Sequence, residues 1–112
     1  MENDLTAWGK AVTLETVGRR SGLPQRVTIG FVEGADGAVL VAAGSDSTHW
    51  ARNLAAEPRC HVELAGDRRA CRAVPLDDDE RHAVVAALIL KYGTPAERLG
   101  AGPAFRFVRL TP

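Results

Sequence analysis

Two tight-turn signals, each flanked by strand-like segments, constrain the fold of this chain more than any other feature. The first is Gly-Ala-Asp-Gly at 34–37, and the second is Gly66-Asp67. Asp-Gly and related pairs supply the positive φ angles that tight hairpin loops require. The flanking segments alternate or are β-branched, and they cover residues 25–33, 38–43, 60–65 and 69–74. The sequence therefore predicts two antiparallel β-hairpins, and the uninterrupted apolar run 38–43 predicts a strand covered on both faces.

Two further strands and two helices complete the predicted elements. The strands cover 11–17 and 104–110. One helix spans about 48–56, with Ser45, Asp46 or Ser47 as its N-cap. The other helix starts in the acidic run 77–80 and ends near Tyr92, before Gly93. No strand–helix–strand rhythm repeats, so we expect an α+β fold that is mainly β. We expect about six mostly antiparallel strands to curl into a small barrel with two helices packed outside.

Length and charge limit the classes of protein that this chain can be. Its 112 residues predict one domain over 1–112, and 14 basic residues balance 14 acidic ones. A neutral chain lacks the basic surplus that nucleic-acid binding requires. We find no secretory signal and no apolar run that could cross a bilayer, so we expect a cytoplasmic protein without stable membrane insertion. Cys60 and Cys71 are compatible with a disulfide, but this location favours two reduced thiols.

The loop Gly18-Arg19-Arg20-Ser21-Gly22 is the first candidate for a binding site. Glycines let a turned backbone aim several N–H groups at one anion, and arginines offer forked donors to phosphate or carboxylate oxygens. Ser21 adds a hydroxyl, and Arg26 can return to the same place from the next strand. The alternative is a solvated polar turn, and the loop by itself does not decide between them.

The segment that leads into the first helix is the second candidate. Helix N-termini present unpaired N–H groups to anions. Trp50 and Asn53 lie three residues apart on one helix face. Trp50 either forms one wall of a site for a ring-shaped ligand or packs in the core. Asn53 either contacts that ligand or has a surface or capping role. His49 has no Cys or His partner at ligand spacing, so we predict no metal site. The acidic run 77–80 is better explained as a helix start.

These residues, taken together and in order, resemble the deazaflavin-dependent nitroreductase family, which is built on a split β-barrel. The resemblance rests on Thr-Val-Gly-Arg-Arg-Ser-Gly at 16–22 with Pro24 and Arg26, on Val41-Ala42-Ala43, and on Trp50 with Asn53-Leu54 and Pro58. It covers about residues 11 to 75 well and the rest loosely.

The resemblance implies an oxidoreductase that uses the deazaflavin coenzyme F-420 to transfer a hydride to a quinone, nitroaromatic or similar small acceptor. Different parts of the cofactor would meet different residues. Arg19, Arg20, Ser21, Gly22 and Arg26 would meet the phosphate; Thr28, Ile29 and Gly30 would line the ring; Ala43, Gly44 and Ser45 would face its polar edge; Trp50 and Asn53 would flank it.

The cofactor carries the chemistry in such enzymes, so we expect no dedicated nucleophile. Tyr92 is a candidate proton donor. The resemblance also implies that two copies pair as a homodimer. The alternatives are a split barrel that binds FMN or a haem-type ligand, and a carrier of the cofactor without catalysis.

Overall fold

The computed structural model describes residues 11–93 and 102–110, which form seven strands and two helices. The strands are β1 (Val12–Val17), β2 (Pro24–Ile29), β3 (Val32–Glu33), β4 (Val39–Ala42), β5 (Arg59–Leu64), β6 (Asp67–Pro75) and β7 (Ala104–Arg109). The helices are α1 (His49–Ala56) and α2 (Asp78–Tyr92). All six pairings between neighbouring strands are antiparallel. The predicted class, a mainly antiparallel β fold with helices outside, is confirmed.

The strand order β2-β1-β5-β6-β7-β4-β3 shows why the sheet must curl. Strands β2 and β3 lie at opposite edges of this order, yet only Gly30 and Phe31 separate them in the chain. Such a short connection spans at most about 11 Å, so the two edges must come close together. The result is a barrel that stays split between β2 and β3.

The predicted single strand 25–33 is wrong, because the chain breaks at Gly30 and Phe31. The hydroxyl of Tyr92, at the end of α2, accepts a hydrogen bond from Phe31 N (3.1 Å) and donates one to Phe31 O (3.2 Å). Lys91 Nζ also donates to Phe31 O (2.9 Å). These side chains pair the backbone of Phe31 at the split, and so the barrel has seven strands where the sequence predicted about six.

The barrel interior forms the main core. Val12, Leu14, Val41 and Val62 are fully buried there, and they come from three different strands. Strand β7 contributes Phe105 and Phe107 to this core. A smaller core lies under α2, where Val84, Val85 and Leu88 contact Leu40 and Ala42 of β4. The run 38–43 is therefore covered on both faces, as predicted.

The two predicted hairpins are present, with one shift in a turn. Residues 34–38 connect β3 to β4, and Gly37 N donates to Gly34 O (2.9 Å). The β5–β6 turn consists of Ala65 and Gly66, both at positive φ, where the sequence predicted Gly66 and Asp67. Asp67 instead pairs with Leu64 in the ladder, because a two-residue turn needs its left-handed pair directly between the paired residues.

The two helices begin differently. Asp77 and Glu80 form a capping box at the start of α2, which confirms the acidic run as a helix start. Gly93, at positive φ, ends this helix. The N-cap of α1 is Thr48, whose side chain makes no capping hydrogen bond, so the predicted caps Ser45, Asp46 and Ser47 are wrong. In the described part of the chain, neither helix has the length and apolar character to cross a membrane.

Candidate functional site

A cleft of about 150 Å³ lies between α1 and the β1–β2 hairpin. Strand β1 contributes Thr16, strand β2 contributes three residues, and helix α1 contributes three more. The lining residues are Thr16, Gln25, Arg26, Val27, His49, Trp50 and Asn53. The predicted Trp50–Asn53 helix face lines this cleft, and Arg19 of the arginine loop contacts the same helix face through Asn53 and His49.

The loop at 18–23 is an ordered turn that connects β1 to β2. Gly18 N donates to Leu23 O (2.9 Å), and Gly22 N donates to Gly18 O (2.8 Å). Ser21 Oγ accepts from Leu23 N (3.1 Å), and Gly22 has a φ of 72°. The Ser21 hydroxyl therefore helps to shape the turn, and Arg20 extends from it into solvent.

Arg19 is held against α1. Its backbone N–H and its Nη1 both donate to Asn53 Oδ1, at 3.3 and 2.8 Å. Nη1 also donates to His49 O (3.4 Å), and Nη2 lies 3.2 Å from His49 Nδ1. Arginine has only donors, so His49 Nδ1 is the acceptor in this contact.

Arg26 lines the cleft but is paired on the outer face of the sheet. Its Nε donates to Glu15 Oε2 (2.7 Å), and Glu15 also accepts from Arg68 Nη2 (2.8 Å). His61 Nδ1 lies 3.8 Å from the same carboxylate. The hydrogen bonds from Arg68 and Arg26 lower the pKa of Glu15 from 4.5 to about 2. Glu15 therefore holds a full negative charge next to Arg26 near neutral pH.

Trp50 combines the two roles that the sequence left as alternatives. Its ring packs edge-on against Phe105, with centroids 6.1 Å apart, and it contacts the main core. The half-buried ring also lines the cleft. Asn53 does not have the surface position considered from the sequence, because only 1% of it is exposed. It is not a cap either, because the caps of α1 are Thr48 and Glu57.

The residues predicted to line a ring divide between β2 and the split. Ile29 packs against the barrel core, and Thr28 is half-buried next to it. Gly30 lies at the split, where a Cβ would come within 3.0 Å of the Tyr92 ring. The Tyr92 hydroxyl is already hydrogen-bonded to both backbone groups of Phe31. Its proposed role as a proton donor would therefore require it to leave the split.

The residues predicted to face the polar edge of the ring, Ala43, Gly44 and Ser45, lie between β4 and α1. Ala43 is buried, and its N–H donates to Pro103 O (2.8 Å). Gly44 is exposed, and Ser45 Oγ lies 2.9 Å from Ser47 Oγ and 3.5 Å from Thr48 Oγ1. No described contact joins this group to Arg19.

Sequence reasoning did not identify four of the cleft residues as site residues, namely Thr16, Gln25, Val27 and His49. Asn53 Nδ2 donates to Thr16 Oγ1 and to Gln25 Oε1, both at 3.1 Å, and His49 holds Arg19. These contacts join residues 28 to 37 positions apart, so no local pattern indicates them. Thr16 did offer one signal: it shares the inward face of β1 with Val12 and Leu14, where a buried hydroxyl requires a partner.

The fold and the site together define a class, namely split β-barrel proteins with a cationic hairpin loop facing a helix at one end of the barrel. The sequence profile of the F420H(2)-dependent quinone reductase family matches residues 4–98. The chain belongs to that family, and the resemblance seen in its motifs is confirmed.

Individual relatives agree with this assignment. A protein of Mycobacterium tuberculosis (strain ATCC 25618 / H37Rv), Rv3178, is named provisionally as an F420H(2)-dependent quinone reductase. It is 31% identical over 71 residues, 61% of this chain, and this chain spans only 60% of its length.

Two solved structures share the fold. One is described as an F420-H2 dependent reductase, FDR-A, with a TM-score of 0.72 and 24% identity; the match covers 88% of this chain and 94% of the other. The other is HutZ, a heme storage protein of Vibrio cholerae, with a TM-score of 0.71 and 19% identity, covering 98% and 88%.

Proposed function

We propose that this protein is a reductase that binds reduced coenzyme F-420 and uses it to reduce a quinone, a nitroaromatic or a similar small acceptor. The observation that carries the proposal is the guanidinium of Arg19, which α1 holds through Asn53 and His49, two residues that line the cleft. Family membership supports the cofactor, and the cationic loop supports the place where its phosphate binds.

The residues of the cleft fit an anionic ring cofactor. Arg19 and Arg20 lie on one short loop, and Arg26 lies on the strand that follows it. Such guanidinium groups match phosphate oxygens in charge and geometry. Trp50 and Val27 give the cleft apolar surface against which a flat ring can pack. The cleft of about 150 Å³ accommodates one part of such a cofactor, and the remainder would extend along the exposed loop.

Coenzyme F-420, when bound in its reduced form, supplies the hydride for the reduction. The residues of this chain then have three tasks: Arg19 and Arg20 bind the phosphate, Trp50 and Val27 fix the plane of the ring, and the barrel wall limits water on one side. None of these tasks requires a nucleophile. Solvent protonates the reduced acceptor, because the Tyr92 hydroxyl is occupied at the split.

A fluorescence titration with oxidised coenzyme F-420 and, separately, with FMN tests the binding step. We expect F-420 to bind at micromolar concentration. The double variant Arg19→Ala/Arg20→Ala should weaken binding at least about tenfold, the effect of losing one charged hydrogen bond. Arg52→Ala is the matched control, because Arg52 is an exposed arginine of α1 that does not line the cleft.

Unchanged affinity of the double variant would place the phosphate elsewhere, and tighter binding of FMN than of F-420 would favour the flavin alternative. Failure to bind either compound would refute both cofactor proposals. A second assay mixes the protein with reduced F-420 and a quinone or nitroaromatic compound and follows formation of oxidised F-420. Binding without turnover in this assay would favour the carrier alternative.

We also propose that the protein forms a homodimer in the cytoplasm, as the family resemblance implied. Light scattering coupled to size-exclusion chromatography tests the dimer, and a monomer at micromolar concentration would refute it.

A further inference from the structure

The side-chain amide of Asn53 makes four hydrogen bonds. Its Oδ1 accepts two hydrogen bonds, from the backbone N–H and from Nη1 of Arg19. Its Nδ2 donates two, to Thr16 Oγ1 and to Gln25 Oε1. An asparagine amide has two acceptor positions and two donor hydrogens. All four are occupied, so Asn53 has no hydrogen bond left to offer a ligand.

The orientation of this amide is fixed by chemistry. Arg19 can only donate, so the atom of Asn53 that faces it must be the oxygen. The nitrogen then faces Thr16 and Gln25, both of which have an acceptor oxygen. Asn53 thus joins α1 to β1, to β2 and to the loop between them.

Arg19, by contrast, keeps part of its hydrogen-bonding capacity. Its Nη1 donates to Asn53 and His49, and its Nη2 uses one hydrogen on His49 Nδ1. The Nε–H and the second Nη2 hydrogen have no partner among residues 11–93 and 102–110. These two donors form one edge of the planar guanidinium, which is the edge that binds an oxyanion through two parallel hydrogen bonds.

We propose that Asn53 is a positioning residue, which does not touch the cofactor but holds Arg19 so that its free edge receives the cofactor phosphate. This inference rests on the proposed function and changes the role that the sequence suggested for Asn53. A guanidinium on a surface loop ordinarily loses rotamer entropy when it binds an anion. Asn53 fixes the Arg19 side chain before the anion binds, so less rotamer entropy is lost on binding. The gain in affinity therefore requires that Arg19 is already ordered in the protein without cofactor.

The binding test compares two probes, oxidised coenzyme F-420 and the deazaflavin fragment that has the ring and sugar-alcohol chain but no phosphate. Asn53→Ala should weaken F-420 binding about tenfold. It should change binding of the phosphate-free fragment less than twofold. The variant Arg19→Ala/Asn53→Ala should bind F-420 no more weakly than Arg19→Ala alone, because both changes remove the same interaction.

Three results would overturn the proposal: unchanged F-420 affinity of Asn53→Ala, an equal loss for the phosphate-free fragment, or additive losses in the double variant. The equal loss would mean that Asn53 contacts the ring or merely supports the fold. Circular dichroism checks that Asn53→Ala is folded, and Arg52→Ala serves as the control for removing a side chain from α1.

A measurement on the unmodified protein without cofactor keeps the proposal testable if Asn53→Ala does not fold. Nitrogen-15 relaxation of arginine side chains reports the order of each Nε–H on the nanosecond timescale. Arg19 should be nearly as rigid as the backbone, and Arg20 should be mobile. Equal mobility of the two would refute the positioning role. If Arg19 is rigid but the protein binds no F-420, the proposed function is wrong while the Asn53–Arg19 contact stands.

Discussion

Substitution of Glu15 by Gln should make the stability of this protein less sensitive to acid. Glu15 lies on β1 between Arg26 and Arg68, and its carboxylate accepts from both at 2.7 and 2.8 Å. Only 13% of its side chain is exposed. The Glu15→Gln variant keeps the shape of this side chain but removes the charge that both arginines share.

The magnitude follows from the pKa of Glu15. A pKa that falls from 4.5 to about 2 on folding would stabilise the native state by about 3 kcal/mol. Solvent reduces this value, since the side chains of Arg26 and Arg68 are 66% and 41% exposed. We therefore expect about 1–2 kcal/mol. Because the folded-state pKa is lowered, this stabilisation is complete above pH 4.5 and is lost as the pH falls from 4.5 toward 2.

Urea unfolding of both proteins between pH 7 and pH 2.5 measures the effect. The unmodified protein should exceed Glu15→Gln in unfolding free energy at pH 7, and the difference should shrink below pH 4.5. Glu33→Gln is the control, because Glu33 is an exposed carboxylate with no ion pair in the described part of the chain. A difference of the same size at pH 7 and pH 2.5, or none at pH 7, would refute this account of Glu15.

Three further predictions concern close packing at two glycines and the burial of two cysteines. Gly102→Ala would place a Cβ 2.4 Å from the backbone oxygen of Ala43 and should lower the unfolding free energy by at least about 1–3 kcal/mol; wild-type stability in urea would contradict it. Gly30→Ala should lower the unfolding free energy by about 1 kcal/mol or more, because the new Cβ would come within 3.0 Å of the Tyr92 ring. The loss should be smaller in a Tyr92→Ala background, and a double-mutant cycle measured by urea unfolding tests this. Burial raises the pKa of both cysteine thiols, that of Cys60 to about 12, so thiol reagents should label them only after unfolding; rapid labelling of the native protein would contradict their burial.

Much of the fold was predictable because its signals are local. The turn at 34–37 and the capping box of Asp77 depend on neighbouring residues only. The break at Gly30 was not predictable, since strand-like residues lie on both sides of it. What ends β2 there is Tyr92, whose hydroxyl pairs the backbone of Phe31 from 61 positions away. Such a partner is visible only after the chain has folded.

The candidate site was also predictable only in part. The motifs identified Arg19, Trp50 and Asn53; the structure places Trp50 and Asn53 in the lining of one cleft and hydrogen-bonds Arg19 to Asn53. The motifs did not indicate what Asn53 does, because its role depends on Thr16 and Gln25, which lie 37 and 28 positions away. Arginines in a loop identify a place where an anion can bind. Their neighbours in three dimensions decide which arginine is ready to bind it.

That distinction separates Arg19 from Arg26. Glu15 supplies a full negative charge next to Arg26, and its 2.7 Å contact offsets the charge that an anionic cofactor would meet there. Arg19 is held by the amide of Asn53 and by His49, neither of which carries a negative charge, so its positive charge is not offset by either partner. Arg19→Ala should therefore weaken F-420 binding more than Arg26→Ala does. The reverse order in the same titration would mean that Arg26 leaves Glu15 to bind the phosphate, and Glu15→Gln would then strengthen cofactor binding by freeing it.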